Sequence, residues 1–262
     1  DELGLVPEAV ADQLQRMKRS GDAGRVKVIY VTTDFDNPGG VTVPGGRREA
    51  LVEIVRRWNR DNDRIVIIED TAYRELRYRG QDIASIRSLD PEGQTVIVAG
   101  SFSKSFSPGI RVGWGILPPW LVKPVLSQKG NLDFGSPNFN QVLMAAVLEM
   151  GLFDPHIEEL RTNYRRKIDA ALESAERFLR PVGDLDWVRP DGGLYVWVRL
   201  PETVDTGISG PLFSKAVQEG VLYLPGEYCY PTEGIAARKN MMRLTFGIQS
   251  CESIRKGMES LG

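Results

Sequence analysis

Lys104 stands five residues past the end of the apolar run Thr95 to Ala99, in the segment Gly100-Ser101-Phe102-Ser103-Lys104. A second apolar run, Arg64 to Ile68, is followed by Glu69 and Asp70, with Tyr73 three residues on. A third, Val26 to Val31, leads into Asn37-Pro38-Gly39-Gly40, and Arg111 opens a fourth, Arg111 to Leu117. In open α/β sheets ligands sit at the carboxyl ends of the strands, so residues placed just after such runs are the candidates for chemistry. The set meets the needs of an aldehyde cofactor with a pyridine ring and a phosphate arm. The Lys104 amine would form a Schiff base, and the Asp70 carboxylate would hold the ring nitrogen protonated so that the ring withdraws electrons. The Tyr73 phenol and Asn37 amide would bond the ring hydroxyl, and Ser101, Ser103 and Arg111 would hold the phosphate.

The elements that must position these groups are short β-branched runs separated by helical segments, the pattern of a mostly parallel sheet covered on both faces. Pro7 to Lys18 has helical character, and Leu51, Ile54, Val55 and Trp58 recur at helical spacing. Two long helices are expected over Pro137 to Met150 and Pro155 to Leu179, the second rich in charge. The texture then changes. Leu185 to Val188, Gly193 to Val198, Val221 to Leu224 and Met242 to Phe246 read as short strands, with helices at Pro211 to Glu219 and Glu252 to Leu261. The expected organisation is α/β, with a partial large domain over 1–154 and a C-terminal α+β small domain over 155–262.

Four segments carry a family resemblance: Asn37-Pro38-x-Gly40, Ile68-Glu69-Asp70-x-x-Tyr73, Gly100 to Lys104, and Pro108-Gly109-Ile110-Arg111-Val112-Gly113-Trp114. In order and spacing they resemble the class I/II aminotransferases of fold type I, in the flavour of the 2-aminoadipate, kynurenine and aromatic aminotransferases. Asp191-Gly192-Gly193-Leu194-Tyr195-Val196-Trp197, Leu224-Pro225-Gly226 and Met242-Arg243-Leu244 resemble the family's small-domain landmarks. The likeness covers essentially the whole chain. It implies pyridoxal 5'-phosphate as cofactor, Lys104 as the residue that carries it and shuttles the substrate's α-proton, Asp70 on the pyridine nitrogen, and Asn37 and Tyr73 on the ring oxygen. Ser101, Ser103 and Arg111 would hold phosphate, Arg243 would clamp the substrate's α-carboxylate, and Asn37 would also serve substrate binding. The family has Thr or Ser where this chain has Gly39, a change expected to loosen that loop.

The same resemblance implies an α-amino acid and a 2-oxo acid as substrates and a homodimer as the working form, with Asn131 to Asn138 and Tyr228 to Pro231 as candidate lining residues. Two other readings stand beside it. One is the aminotransferase-like effector-binding domain of a transcriptional regulator; the other is a pyridoxal phosphate lyase on the same fold. Asp1-Glu2-Leu3-Gly4 reads as an internal start, and the resemblance implies an N-terminal part beyond it, with sheet strands and phosphate-gripping amides. The chain by itself is therefore expected to show a bare sheet edge, bind cofactor weakly and turn over poorly.

Composition excludes other classes. Thirty-three basic residues oppose 35 acidic ones for a formal net charge of −2, with no basic block that would mark a nucleic-acid surface. No apolar run approaches the roughly 20 residues a membrane-spanning helix needs. Cys229 and Cys251 fit no metal spacing, and one histidine, His156, cannot build a histidine-rich metal site. The expectation is a cytoplasmic protein with idle thiols.

Overall fold

The computed structural model describes residues 1–262, which pack as two units. The first comprises Asp1–Asp34, Thr42–Leu76 and Gly80–Glu158; the second comprises Phe35–Val41, Arg77–Arg79 and Glu159–Gly262. The main change of unit thus falls at 158/159, and two short segments that a single cut near 154 would leave in the first part group with the second.

The first unit is built on a four-stranded sheet, β1 (Val28–Thr32), β2 (Val66–Asp70), β3 (Val96–Ser101) and β4 (Gly113–Ile116), in that order. β1, β2 and β3 are parallel, and β4 returns antiparallel to β3. Helices α1 (Pro7–Ser20) and α2 (Gly45–Asp61) cover one face. Pro7 opens α1, where its missing N–H costs nothing. Gly21 closes it with φ +83°, its N–H and that of Asp22 bonding the carbonyls of Lys18 and Met17. Leu51, Val52, Val55 and Trp58 of α2 form the core with Leu14, Val31, Ile65, Ile67, Ile86 and Val96.

The register decides which strand residues look away from that core. Tyr30, Asp70 and Ser101 share one face; Val31, Glu69 and Val98 share the other, because successive strand residues alternate. The expected cover on both faces is incomplete in this chain. Val28 and Tyr30 of β1 are exposed on the face that carries Asp70, and on the other face Trp114 and Ile116 of the edge strand β4, opposite Gly100 and Val98, are exposed as well. Nor does Arg111 open a strand: it follows a 3-10 turn, Pro108–Ile110, two residues before β4.

Three further helices follow, α3 (Pro119–Asp133), α4 (Asn138–Glu149) and α5 (Phe153–Ser174), the last continued by a π-helical turn over Ala175–Leu179. The sequence pattern gave no sign of α3. Pro124 interrupts it, its apolar residues do not gather on one side, and none of its residues is buried. It absorbs Asn131 to Asp133, expected in a lining segment. α5 passes from the first unit into the second.

The second unit carries an antiparallel sheet of order β5 (Asp186–Trp187), β6 (Tyr195–Arg199), β8 (Met241–Thr245) and β7 (Leu224–Pro225). Helices α6 (Pro211–Gln218) and α7 (Cys251–Leu261) complete it, Ser250 capping α7 through the N–H of Ser253 at 3.1 Å. The Asp191-Gly192-Gly193 turn gathers the two short segments of this unit. The Asp191 carbonyl accepts from the N–H groups of Tyr78 and Arg79 at 2.8 and 3.0 Å, and the Gly193 carbonyl accepts from the Tyr78 hydroxyl. Gly193, at φ +74°, leaves no room for a side chain: a Cβ there would stand 2.7 Å from that of Phe35.

One buried cation organises the first unit. Arg48 of α2 is 0% exposed, and its guanidinium donates to the carbonyls of Val43 (2.9 Å), Thr33 (3.0 Å) and Ala84 (3.0 Å) and to Asp34 Oδ1 (3.0 Å). Glu69 Oε1 lies 3.9 Å away, and that carboxylate also accepts from the N–H of Ile86 at 2.9 Å. Removing one partner of such a set leaves the others charged and dry, at a cost of about 3–5 kcal/mol. Arg48→Ala is therefore expected to lower unfolding free energy by that amount in urea titrations. Arg48→Lys is expected to recover only a minor part, since an ammonium cannot reach this fork of acceptors; full recovery by lysine would refute the account.

Candidate active site

The expected site residues divide between the two units. In the first, Asp70 ends β2 on the open face of the sheet, with both carboxylate oxygens engaged. Oδ1 accepts from the N–H of Ala72 at 2.9 Å, and Oδ2 accepts from the hydroxyl of Tyr30. Tyr30 sits diagonally across from Asp70 on the neighbouring parallel strand. Its hydroxyl is pushed above the ordinary phenol range, first by burial and then by the Asp70 carboxylate it serves. Sequence reading missed Tyr30. The signal was a phenol two residues before the end of a β-branched strand, on the face that parallel pairing gives to Asp70.

Tyr73 is buried in the turn after β2, 8% exposed. Ser101 and Ser103 are together: the Ser101 hydroxyl donates to the Ser103 hydroxyl at 2.9 Å, and the Ser103 N–H donates to Ser101 Oγ at 3.0 Å. Lys104 is half-buried in the turn that follows, where the Phe102 carbonyl accepts from the N–H groups of Phe106 (2.9 Å) and Ser107 (3.0 Å). Arg111 has left-handed backbone, φ 54° and ψ 36°, an exposed side chain, and a guanidinium that donates to the Pro108 carbonyl at 3.0 Å. A non-glycine residue held there stores on the order of 1–3 kcal/mol, a pattern that clusters at ligand clamps.

In the second unit, Asn37 and Arg243 meet: Arg243 Nη1 donates to Asn37 Oδ1 at 2.5 Å. The Arg243 guanidinium carbon lies 4.3 Å from the centroid of the Tyr195 ring, and its Nε is buried without a hydrogen-bond partner. Cys229, in the turn after β7, has its thiol pushed up by burial, with Arg243 pulling the other way.

The loop carrying Asn37 is pinned rather than loosened. Asp36 Oδ1 accepts from the N–H of Val41 at 2.7 Å and Oδ2 from that of Gly39 at 3.3 Å, while the Asp36 and Val41 backbones are bonded at 3.0 Å. A Cβ on residue 39 would stand 2.9 Å from Asp36 Oδ1, so glycine is what lets the carboxylate fold over the loop. Burial raises the Asp36 carboxyl above its usual range, against the lowering effect of the two backbone donors.

The chain belongs to the class I and II aminotransferase family, whose profile it matches over residues 6–261. Among its relatives, it is 35% identical to aromatic-amino-acid aminotransferase 1 of Thermococcus litoralis over 261 residues, covering 100% of this chain and 59% of that protein. It superposes on the kynurenine aminotransferase of Pyrococcus horikoshii, solved in complex with PMP, with a TM-score of 0.89 and 34% identity over 100% of this chain and 61% of that one. It is also 30% identical, over 100% of its length and 50% of the relative's, to an uncharacterised helix-turn-helix-type transcriptional regulator, YdfD, of Bacillus subtilis. The chain thus spans about half to three-fifths of these proteins. The fold is that of the pyridoxal phosphate-dependent aminotransferases, and the donor set of the first unit fits that cofactor: paired hydroxyls and a guanidinium for a phosphate, a carboxylate held by two donors, and an amine in a tight turn.

Two outcomes test this geometry. Arg111→Gly relieves the left-handed strain and is expected to raise stability by about 1 kcal/mol while weakening phosphate binding, the two measured by denaturation and by pyridoxal phosphate titration; lower stability would show that the backbone is not strained. Asp36 is expected to titrate above the ordinary aspartate value in carboxyl-detected NMR. Because its folded pKa is raised, its stabilising contribution is complete below about pH 3.9 and fades as pH rises through the folded value. Asp36→Asn removes that fade, so a variant with an unchanged pH slope would contradict it.

Proposed function

We propose that the protein to which this chain belongs is a pyridoxal phosphate-dependent aminotransferase that moves an amino group between an α-amino acid and a 2-oxo acid. The observation that carries the reading is the placing of Asp70 and Ser101 on one open sheet face at the ends of parallel strands, with Lys104 in the next turn, within a chain that matches the family almost end to end. Asp70 would hold the pyridine nitrogen, Tyr73 and Asn37 the ring oxygen, and Ser101, Ser103 and Arg111 the phosphate. When bound, the cofactor supplies an electron-withdrawing ring that acidifies the substrate's α-carbon. Lys104 Nζ carries the cofactor's attachment and is the base that takes the α-proton. The Tyr30 hydroxyl and the Ala72 N–H both donate to the Asp70 carboxylate and fix its orientation, so that it would face the ring nitrogen. Arg243 takes the α-carboxylate through its planar fork, selecting amino acids over simple amines.

A homodimer in the cytoplasm completes the reading. Its support is the apolar surface of α3, α4 and the residues between them, where Leu126, Leu132, Phe134, Phe139 and Val142 are all more than half exposed. No helix is long and apolar enough to cross a membrane. The regulator relative keeps a second reading in view, in which the same site binds cofactor as a sensor without net turnover.

The test uses the complete natural polypeptide and its Lys104→Ala variant, loaded with pyridoxal phosphate, reduced with borohydride and mapped by mass spectrometry, with sedimentation on the same samples. An adduct on Lys104 alone, loss of amino-group transfer in the variant by at least about a thousandfold, and twice the monomer mass are expected. An adduct without transfer to any 2-oxo acid would favour the sensor, and an adduct on another lysine would remove Lys104 from its role.

A further inference from the structure

Arg243 lies mid-strand in β8, and the register fixes its neighbours. Trp197 of β6 and Leu224 of β7 stand directly opposite it, and Tyr195 stands two residues along β6, opposite Thr245. Residues so related across an antiparallel pair share a face, and the diagonal lies within reach of an aromatic ring. Tyr195 uses that reach, its ring centroid 4.3 Å from the Arg243 guanidinium carbon. The ring is itself buried, 8% exposed, so the plate on which the cation rests is held by the packing of β6.

A second contact sets the rotation of the fork over that plate, the Arg243 Nη1 donation to Asn37 Oδ1 at 2.5 Å. The Asn37 loop in turn rests against the same strand. At Gly40, φ +70°, a Cβ would stand 3.3 Å from the Tyr195 carbonyl oxygen and 3.1 Å from Pro190 Cβ. Arg243 Nε remains buried with no partner. A buried donor left unpaired is costly, and an arriving carboxylate oxygen removes that cost.

We propose that Tyr195 is the positioning residue of the carboxylate-binding arginine, its ring and the Asn37 amide together presetting the guanidinium before substrate arrives. Its functional consequence rests on the reading of Arg243 given above; the stacking itself does not. A long, flexible cation fixed in advance loses less freedom on binding, so the benefit appears in substrate affinity rather than in the chemical step. A purely structural tyrosine in a sheet would instead act on stability and leave the kinetic split untouched.

The test compares Tyr195→Phe, which keeps the ring, with Tyr195→Leu and Tyr195→Met, which do not; methionine serves if leucine fails to fold. The first readout is the Nε–H resonance of Arg243 in the chain 1–262, assigned by its loss in Arg243→Lys. The second is KM against kcat for amino acid in the complete, cofactor-loaded polypeptide. The upfield ring-current shift is expected in the wild type and Tyr195→Phe and absent without the ring. KM is expected to rise about tenfold without the ring, with kcat within about threefold, and Tyr195→Phe to match the wild type. A shift that survives ring removal, an unchanged KM, or equal KM increases in the phenylalanine and leucine variants would each overturn the proposal. Should the wild type convert no amino acid, the aminotransferase reading fails while the resonance still decides the positioning role.

Discussion

The guanidinium of Arg48 sits at the point where three chain segments leave the core of the first unit. It ties the end of β1, through Thr33 and Asp34, to the entry of α2 at Val43 and to the segment at Ala84. Glu69 closes the set from the penultimate position of β2. Burying Arg48, Asp34 and Glu69 together is tolerable only because nearly every donor and acceptor among them is used. Their arrangement then fixes where β1 and β2 end, and so where the residue after Glu69 must stand. Asp70 faces the opposite way because a strand alternates, and the dry network on one side of the sheet thereby aims the carboxylate on the other.

Much of this was legible in the sequence, and the reason is local. Short β-branched runs gave the strands of the first sheet, because a buried parallel strand has little choice of composition. Apolar residues at helical spacing gave α2, and α1, α4 and α5 also read as helices. The site residues stood out because strand ends in such sheets face ligand space. α3 was not legible, because the helical signal is an apolar stripe and this helix has none, with proline in its body. Asp70 was singled out by its motif, but its neighbour Glu69 had no role that the sequence could show. That role needed the register with β1 and the identity of the buried cation across from it.

The pairs that sequence reading missed are pairs in space. Gly39 looked like a loosening substitution until Asp36 was seen folded over it; the two residues are one device, the carboxylate supplying the fixity and the glycine the clearance. Tyr30 with Asp70, and Tyr195 with Arg243, are diagonal neighbours on adjacent strands, separated by 40 and 48 positions. Each phenol contacts a side chain that its motif had already marked as a site candidate. No single motif could reveal the supporting residue, because the support is defined by strand pairing and not by sequence neighbourhood.

The membership of Phe35–Val41 and Arg77–Arg79 in the second unit has a consequence for how this protein can be divided. A chain stopped at Glu158 would contain both segments but none of the residues they lean on: Asn37 would lose Arg243, Tyr78 would lose Gly193, and Phe35 its packing on that glycine. Conversely, a piece starting at Glu159 would carry an antiparallel sheet whose Asp191 carbonyl has lost the N–H groups it receives. Neither unit is a module in the genetic sense, able to be moved to another protein by cutting at one codon. Any recombination that preserved the fold would have to bring the Asn-Pro loop and the C-terminal lobe from the same parent, and sequence changes at the two places would be inherited as one trait.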